Sequence, residues 1–440
     1  MKKFYIETYG CQMNVSDSEV VASILKNAEF IHTEKVEDAD VILVNTCSIR
    51  ENAEQRVHGR LNIFKQLKKK SPHIIVGVLG CMAERLKEDL LENEKVVDLV
   101  VGPDSYRLLP ELLENANTGQ KAVNVYLSQE ETYADISPVR YDSNGVSAFV
   151  SIMRGCQNMC SYCIVPYVRG VERSRNYETI IKEINELITN GYKEVTLIGQ
   201  NVDSYNYSNE FGKITSFSEL LELSAKSFPQ IRIRFSTNHP KDLSDDVLEV
   251  MSKYQNICKS IHLPVQSGST NTLTRMNRGY SRDWYLDRIN AIKRIVPGCA
   301  ISTDIMVGFS GETEEDHKET LSLLEVICYD FAFMFKYSER PGTYASKNMK
   351  DDVPEEIKVR RLNDVIELQR KLSKESKQID IGKKYEVLVE GFSKKSKDEM
   401  VGRNSQNKVI VFPTKQHKPG DLALIEVVRC TSGTLIGKLI

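Results

Sequence analysis

Gly155–Cys163 reads GCQNMCSYC, a C-x3-C-x2-C run that brings Cys156, Cys160 and Cys163 together in one short loop. Three thiolates packed this closely can hold three corners of a cubane iron–sulfur cluster, because soft sulfur ligands select iron–sulfur or zinc sites. No fourth cysteine lies nearby, so one metal corner stays open for a ligand, as a catalytic metal site requires. The alternative is a zinc knuckle or an incomplete structural site. It calls for a fourth Cys or His close by, and the nearest histidines, His73 and His239, are far away in sequence.

Outward from this loop the chain reads as strands alternating with helices. Ala148–Met153 is strand-like and runs straight into the cysteines. Tyr177–Asn190 is helical, with Ile180, Ile184, Leu187 and Ile188 on one face and Gly191 as its C-cap. Strand-like runs recur at Glu194–Ile198, Ile231–Phe235, Ser260–Leu263, Ala300–Met306 and Phe331–Tyr337, and a long polar helical pattern, Pro354–Gln378, closes the series. Six strands alternating with helices predict an incomplete parallel (β/α)6 barrel, whose chemistry belongs at the carboxyl ends of its strands. Polar residues follow those strands: Gln200 and Asn201, Ser236 and Thr237, Gln266, and Asp304 within the fifth strand. A nucleoside-like cofactor would need such hydrogen-bonding groups, although turn and capping chemistry also places Asn, Ser and Asp here.

A second α/β unit precedes the barrel. Lys3–Tyr9, Asp40–Asn45, Ile74–Leu79 and Val97–Val101 are strand-like, Ser16–Ala28 is helical, and the alternation predicts a small parallel sheet covered by helices. Cys11, Cys47 and Cys81 each fall just past the carboxyl end of a successive strand, 36 and 34 residues apart. Open α/β sheets bind ligands outside those strand ends, so the three thiols can converge on a shared metal site. Any one alone could be an inert buried cysteine. Cys258, Cys299, Cys328 and Cys430 show no such placement and are expected to fill cores.

The expected organisation is an N-terminal sheet domain over residues 1–117, a linker rich in turn-forming residues over 118–145, the barrel over 146–378, and a terminal module over 379–440. Within that module YEVLVEG, KVIVF, LALIEVVRC and TLIGKLI alternate like the strands of a small antiparallel β-barrel. Gly382–Ile440 holds 11 Lys and Arg against 6 Asp and Glu, 11 − 6 = +5, which suits an RNA backbone or simply a solvated basic surface. The whole chain carries only −2, so it is no general nucleic-acid binder. No apolar run approaches a membrane span, and MKKFYIETYG lacks the apolar region of a secretory signal. Ten cysteines in 440 residues are too sparse for a disulfide scaffold. A cytoplasmic location is therefore expected.

The C-x3-C-x2-C spacing, with Tyr162 just before the third cysteine, resembles the signature loop of radical S-adenosylmethionine (SAM) enzymes. YGCQMNVSDSE, VNTCSIRENAEQRV, GCMAERL, RGCQNMCSYCIVPYVRGVERSR, HLPVQSGS, RMNRGY, STDIMVGFSGET and YSERPGTYA resemble the motifs of the methylthiotransferase family over nearly the whole chain. YGCQMN and CSIRENAE resemble its tRNA branch, and the terminal module is similar to a TRAM RNA-binding domain. The resemblance implies two [4Fe-4S] clusters, an auxiliary one on Cys11, Cys47 and Cys81 and a SAM-binding one on Cys156, Cys160 and Cys163. It implies methylthiolation of carbon 2 of N6-isopentenyladenosine beside the anticodon of tRNA. Cofactor contacts fall on Tyr162, Gln200, Asn201, Ser236, Thr237, Gln266 and Asp304. An electron donor such as flavodoxin or ferredoxin and a monomeric chain are expected. The family often holds the SAM ammonium with an acid after the second strand; here the stretch is IGQNVDS, and the contact is expected to pass to Gln200.

Carbon 2 of adenine bears an unactivated C–H bond that no side-chain acid or base ionises, which is why such chemistry is left to cofactors. Other readings stay open at this point: a relative that modifies a ribosomal-protein aspartate or another tRNA adenosine, and a non-enzymatic iron–sulfur RNA-binding protein. Arg154, Arg169, Arg173 and Arg175 crowd the cysteine loop and fit either substrate phosphate or SAM carboxylate binding, or structural ion pairing.

Overall fold

Six strands open the chain: β1 (Lys3–Tyr9), β2 (Ile31–His32), β3 (Val41–Thr46), β4 (Ile75–Gly80), β5 (Leu99–Val101) and β6 (Ala122–Asn124). In the computed structural model, which describes residues 1–48, 51–141, 144–414 and 417–440, they form one parallel sheet in the order β2-β1-β3-β4-β5-β6. β3 and β4 are buried along their whole length because helices cover both faces. Val41, Leu43 and Leu79 pack with Val21 and Leu25 on one face, while Ile42, Val44 and Val78 pack with Val57, Leu61 and Phe64 on the other.

The sheet is wider than the sequence pattern indicates. β2 and β6 are too short to show an alternation, and β6 lies inside the stretch expected as a linker. That stretch is anchored rather than loose. Tyr133 is buried and its hydroxyl donates to Pro103 O at 3.0 Å. Residues 142 and 143 of the expected linker, and Ile49 and Arg50 of VNTCSIRENAEQRV, lie outside the described residues. The first helix runs Gln12–Asn27 and so begins earlier than Ser16, with Cys11 in extended conformation as its N-cap.

The barrel strands are β7 (Ser147–Ser151), β10 (Glu194–Ile198), β13 (Arg232–Phe235), β14 (Ser260–His262), β15 (Ala300–Val307) and β16 (Phe331–Lys336). Between them come β8 (Met153–Arg154), β9 (Arg173–Ser174), β11 (Asn206–Ser208) and β12 (Ile214–Ser216). β7, β10 and β13 form one parallel sheet and β14, β15 and β16 another, linked by the parallel bridge Ile233–Ile257. One hydrophobic core runs beneath both, with Ile180, Ile184, Leu220, Leu248, Ile289 and Leu323 from the helices. The expected strand Ala148–Met153 breaks at Ile152. Its end becomes β8, which pairs antiparallel with β9 and clamps the base of the cysteine loop.

The terminal module is a closed barrel of β17 (Lys384–Ser393), β18 (Ser396–Arg403), β19 (Val409–Pro413), β20 (Leu422–Cys430) and β21 (Leu435–Leu439), in the order β17-β18-β19-β21-β20. β18, SKDEMVGR, escapes the sequence pattern because charge dominates it and only Met400 and Gly402 are buried. β19 and β21 pair parallel, and the other four ladders are antiparallel. The module sits against the amino ends of the barrel strands. Arg232, the first residue of β13, donates to Arg403 O at 3.0 Å, and Arg234 donates to Asn404 O at 2.7 Å. Cys328 is not the expected core filler. It ends helix Glu314–Ile327 in left-handed conformation and is exposed. No helix among the described residues is long and apolar enough to cross a membrane.

Candidate functional site

Cys11, Cys47 and Cys81 follow β1, β3 and β4, three neighbouring strands whose ends are in register: Tyr9 faces Thr46, and Thr46 faces Gly80. Gly10 has φ +134°, and a Cβ there would lie 2.5 Å from Cys47 Cβ, so only glycine lets the Cys11 turn close over Cys47. A buried amide pair locks the two loops: Asn14 Nδ2 donates to Asn45 Oδ1 at 3.0 Å, and Asn45 Nδ2 donates to Asn14 O at 2.9 Å. A hydrogen bond with Cys47, and then the charge of Arg169, hold the Cys11 thiol down to about 6, while burial pushes Cys81 up.

The second triad sits in the loop between β8 and helix Val165–Arg169. Gly155, at φ +80°, passes so close to the returning chain that a Cβ would lie 1.8 Å from Val171 O. Gly155 N–H donates to Gln200 Oε1 at 2.6 Å, Cys156 N–H to Gly170 O at 3.1 Å, and Ser161 N–H to Met276 O at 3.0 Å. Burial pushes Cys156 up to about 11 and Cys163 up as well. Arg278, buried at 5% exposure, donates to Cys160 Sγ and to the Tyr162 hydroxyl, both at 3.3 Å. Its other bonds go to Pro264 O and the Tyr280 hydroxyl.

The polar residues expected to hold a cofactor all lie at the carboxyl end of the barrel, but several are committed elsewhere. Gln200 supports Gly155, and Thr237 Oγ1 donates to Gly199 O at 2.7 Å. Ser236 continues the β10 ladder through its N–H to Leu197 O. Gln266 bridges to β15, its N–H on Asp304 O and its carbonyl accepting from Met306 N–H. Asp304 Oδ1 stands 3.4 Å from His262 Nε2. Tyr162 packs edge-on against Phe309. Asn201 donates to Asp242 Oδ2 at 2.7 Å, and its buried Oδ1 has no partner among the described residues. Two acids beside the loop were missed. Asp242 faces Asn201 and Asn158, and Asp203 accepts two bonds from Asn238 Nδ2 at 2.8 and 2.9 Å. Burial pushes Asp203 up to about 7. In sequence both sit in turn-like stretches, VDS and HPKDLS, and carry no signal of their own.

The two triads are neighbours. Cys81 packs on Ile164 and Val168, the residues just after Cys163, and helix Cys81–Leu86 lies against helix Val165–Arg169. Arg169 reaches across this contact, its Nε 3.1 Å from Cys81 Sγ and its Nη1 2.6 Å from Asp17. Arg154 pairs with Asp17 at 2.9 Å, and Arg173 with Asp104 at 3.0 Å. Arg175 pairs with Glu183, which Arg140 joins to Glu19. All four loop arginines are therefore buried structural charges, not open phosphate ligands: Arg154, Arg169 and Arg173 pin the barrel to the N-terminal domain, and Arg175 pairs within the barrel. The buried Nη2 of Arg169 has no hydrogen-bond partner among the described residues. A soft trio of thiols with a spare cationic donor beside it fits an anionic iron–sulfur cluster.

Glu84, on the helix begun by Cys81, is 2% exposed with its Oε2 unpartnered, and burial pushes its carboxyl up to about 7 against the pull of Lys87. A value raised from 4.5 means stability fully present below about pH 4.5 and lost as pH rises through 7. Glu84→Gln removes that loss, so its melting temperature at pH 8 is expected to exceed that of the unsubstituted protein by the equivalent of roughly 1–3 kcal/mol, with little difference at pH 4.5. Metal-free protein melted from pH 4.5 to 8 checks this, and parallel pH curves would count against it.

An open βα barrel with a three-cysteine loop at its carboxyl end, docked on a sheet carrying a second cysteine triad, defines a radical SAM protein with an added thiol site. Residues 150–324 match the radical SAM superfamily, residues 379–440 the TRAM domain, and residues 3–102 an uncharacterized protein family, UPF0004. The chain is 58% identical over 437 residues to the tRNA-2-methylthio-N(6)-dimethylallyladenosine synthase of Bacteroides fragilis, covering 99% of this chain and 95% of that protein. It is 54% identical over 442 residues to the synthase of the same name from Porphyromonas gingivalis, covering 100% and 95%. Among solved structures, the radical SAM methyltransferase TsrM from Kitasatospora setae, with cobalamin and a [4Fe-4S] cluster bound, shares the fold at TM-score 0.59 and 12% identity, covering 78% of this chain and 77% of that one. The chain belongs to the tRNA-2-methylthio-N(6)-dimethylallyladenosine synthase family.

Proposed function

We propose that this protein is a tRNA methylthiotransferase that converts N6-isopentenyladenosine beside the anticodon to its 2-methylthio form. In this reading Cys156, Cys160 and Cys163 hold the [4Fe-4S] cluster that binds SAM, and Cys11, Cys47 and Cys81 hold an auxiliary [4Fe-4S] cluster. When bound, these groups supply the electron for reductive SAM cleavage and the sulfur for transfer. The observation that carries the reading is the juxtaposition of the two triads through Cys81, Ile164 and Val168, which brings two thiol-bound groups to one substrate atom. Asn201 Oδ1, Asp203 and Asp242 are the polar groups available to SAM beside the loop, and Arg278 steadies Cys160. The TRAM barrel, with its +5 balance, is the RNA-binding module. A cytoplasmic, monomeric enzyme fed by a flavodoxin or ferredoxin completes the proposal.

The barrel lumen supports a flat, greasy substrate. Phe331, Phe333 and Phe335 alternate on the face of β16 turned from the core and are exposed, opposite Ser302, Asp304 and Met306 of β15. Bases stack on such rings at ~1–3 kcal/mol each. Phe333, which meets His262 edge-on, is the central ring. Phe333→Ala is expected to lower kcat/KM for tRNA about tenfold while leaving SAM cleavage without RNA unchanged. An unchanged kcat/KM would remove this face from the substrate path.

Nucleoside mass spectrometry of tRNA from a strain lacking the protein tests the function. The 2-methylthio nucleoside should vanish and its isopentenyl precursor accumulate; persistence of the product would refute the proposal. Anaerobically reconstituted protein should hold about eight irons per chain, four for each triad. A plateau near four with all six thiols intact would remove the auxiliary site.

A further inference from the structure

The interface between the N-terminal domain and the barrel contains an unbalanced buried charge. Its outer group is neutral: Arg140 and Arg175 face Glu19 and Glu183, 2 − 2 = 0. The inner group is not. Arg154, Arg169 and Arg173 face Asp17 and Asp104, 3 − 2 = +1, and all five are at most 5% exposed apart from Asp104 at 7%. Glu84, the other buried carboxyl nearby, is paired with Lys87. A buried uncompensated charge is costly, so its counter-charge belongs close by. The excess falls on Arg169, which touches Cys81 Sγ and whose Nη2 has no hydrogen-bond partner among the described residues.

A cubane with two ferric and two ferrous ions, held by three thiolates, carries about one net negative charge, 2 − 3 = −1. This is the complement of the +1 left in the interface. We infer that Arg169, contributed by the barrel across the domain boundary, is the counter-charge and hydrogen-bond donor of the cluster on Cys11, Cys47 and Cys81, and that it raises that cluster's reduction potential. Hydrogen bonds and positive charge near cluster sulfurs stabilise the reduced, more negative form. Arg169 is a positioning residue: it acts through Cys81 and the cluster, not on the substrate. The auxiliary site is thereby completed only when the N-terminal domain is docked on the barrel.

The inference rests on the cluster assignment for these three cysteines, which the iron content of the unsubstituted protein tests separately. Full-length reconstituted protein is titrated with reductant in the presence of SAM, and each cluster is followed by electron paramagnetic resonance, SAM marking the barrel cluster. Arg169→Met is expected to keep its iron and to shift the auxiliary midpoint potential to more negative values. Arg169→Lys, which keeps the charge, should restore most of it. Arg154→Met, whose guanidinium touches no thiol, should cause a smaller shift. If Arg169→Met fails to hold the cluster, Arg169→Gln is read in its place, with the same shift expected. An unchanged potential in the charge-removing variant, or an equal shift in Arg154→Met, overturns the inference. About four irons in the unsubstituted protein would instead overturn the cluster assignment beneath it.

Discussion

Cys11→Ala protein is expected to cleave SAM to 5′-deoxyadenosine under strong reductant and to make no methylthiolated nucleoside, whereas Cys156→Ala, Cys160→Ala and Cys163→Ala should do neither. The division follows from position. The barrel triad lies beside Asn201 and Asp242, the groups proposed for SAM, and the N-terminal triad lies across the interface on a different sheet. Cys11 is the most informative of the N-terminal three. Cys81 packs on Ile164 and Val168, so Cys81→Ala would also disturb the loop that carries the other triad. Cys11 is partly buried and its hydrogen bonds stay within its own domain, to Cys47 and Asn14. Quantifying 5′-deoxyadenosine and modified nucleoside in the same reaction checks the split. Full methylthiolation by folded Cys11→Ala protein would sink the two-site assignment, and loss of SAM cleavage in the same protein would show that the triads do not work independently.

The second large effect concerns stability. Asp17 is fully buried, accepts from Arg154 and forms an ion pair with Arg169, with the Tyr106 hydroxyl at 3.4 Å. Asp17→Ala strands two buried guanidiniums, and breaking a buried pair from one side costs about 3–5 kcal/mol. Against a total stability of roughly 5–15 kcal/mol this should release the N-terminal domain from the barrel. The expected result is a fall in melting temperature of more than about 5 °C and rapid proteolysis within residues 134–146, with the barrel core surviving. Asp17→Asn, which keeps the shape and one acceptor, should fall between. A melting temperature within about 2 °C of the unsubstituted protein would mean that the arginines find other partners.

Much of this was visible in the sequence, for identifiable reasons. The thiols of both triads stand out because cysteine is rare: three crowd one loop and three recur with the βα unit, and long β-branched runs such as VILVNT and IIVGVLG declare buried parallel strands. Short or charged strands did not declare themselves. Ala122–Asn124 offers three residues, and Ser396–Arg403 hides two inward positions among charges. The arginines of the cysteine loop were visible but not their role, since the partner of Arg154 is 137 residues away and no local pattern links the two. Arg278 and Asp242 were missed for the same reason: only the closed barrel brings them to the cysteines.

The terminal barrel is fastened to the amino ends of barrel strands, at the end of the barrel opposite the cysteine loop, through Arg232, Arg234 and Lys259. The eight residues of Ala300–Val307 span roughly 26 Å between those two ends. If the terminal barrel holds the RNA as proposed, that RNA has to stretch along the flank of the barrel before a base enters at the other end. On that proposal the fold is a caliper, and a hairpin shorter than the gap occupies one jaw only.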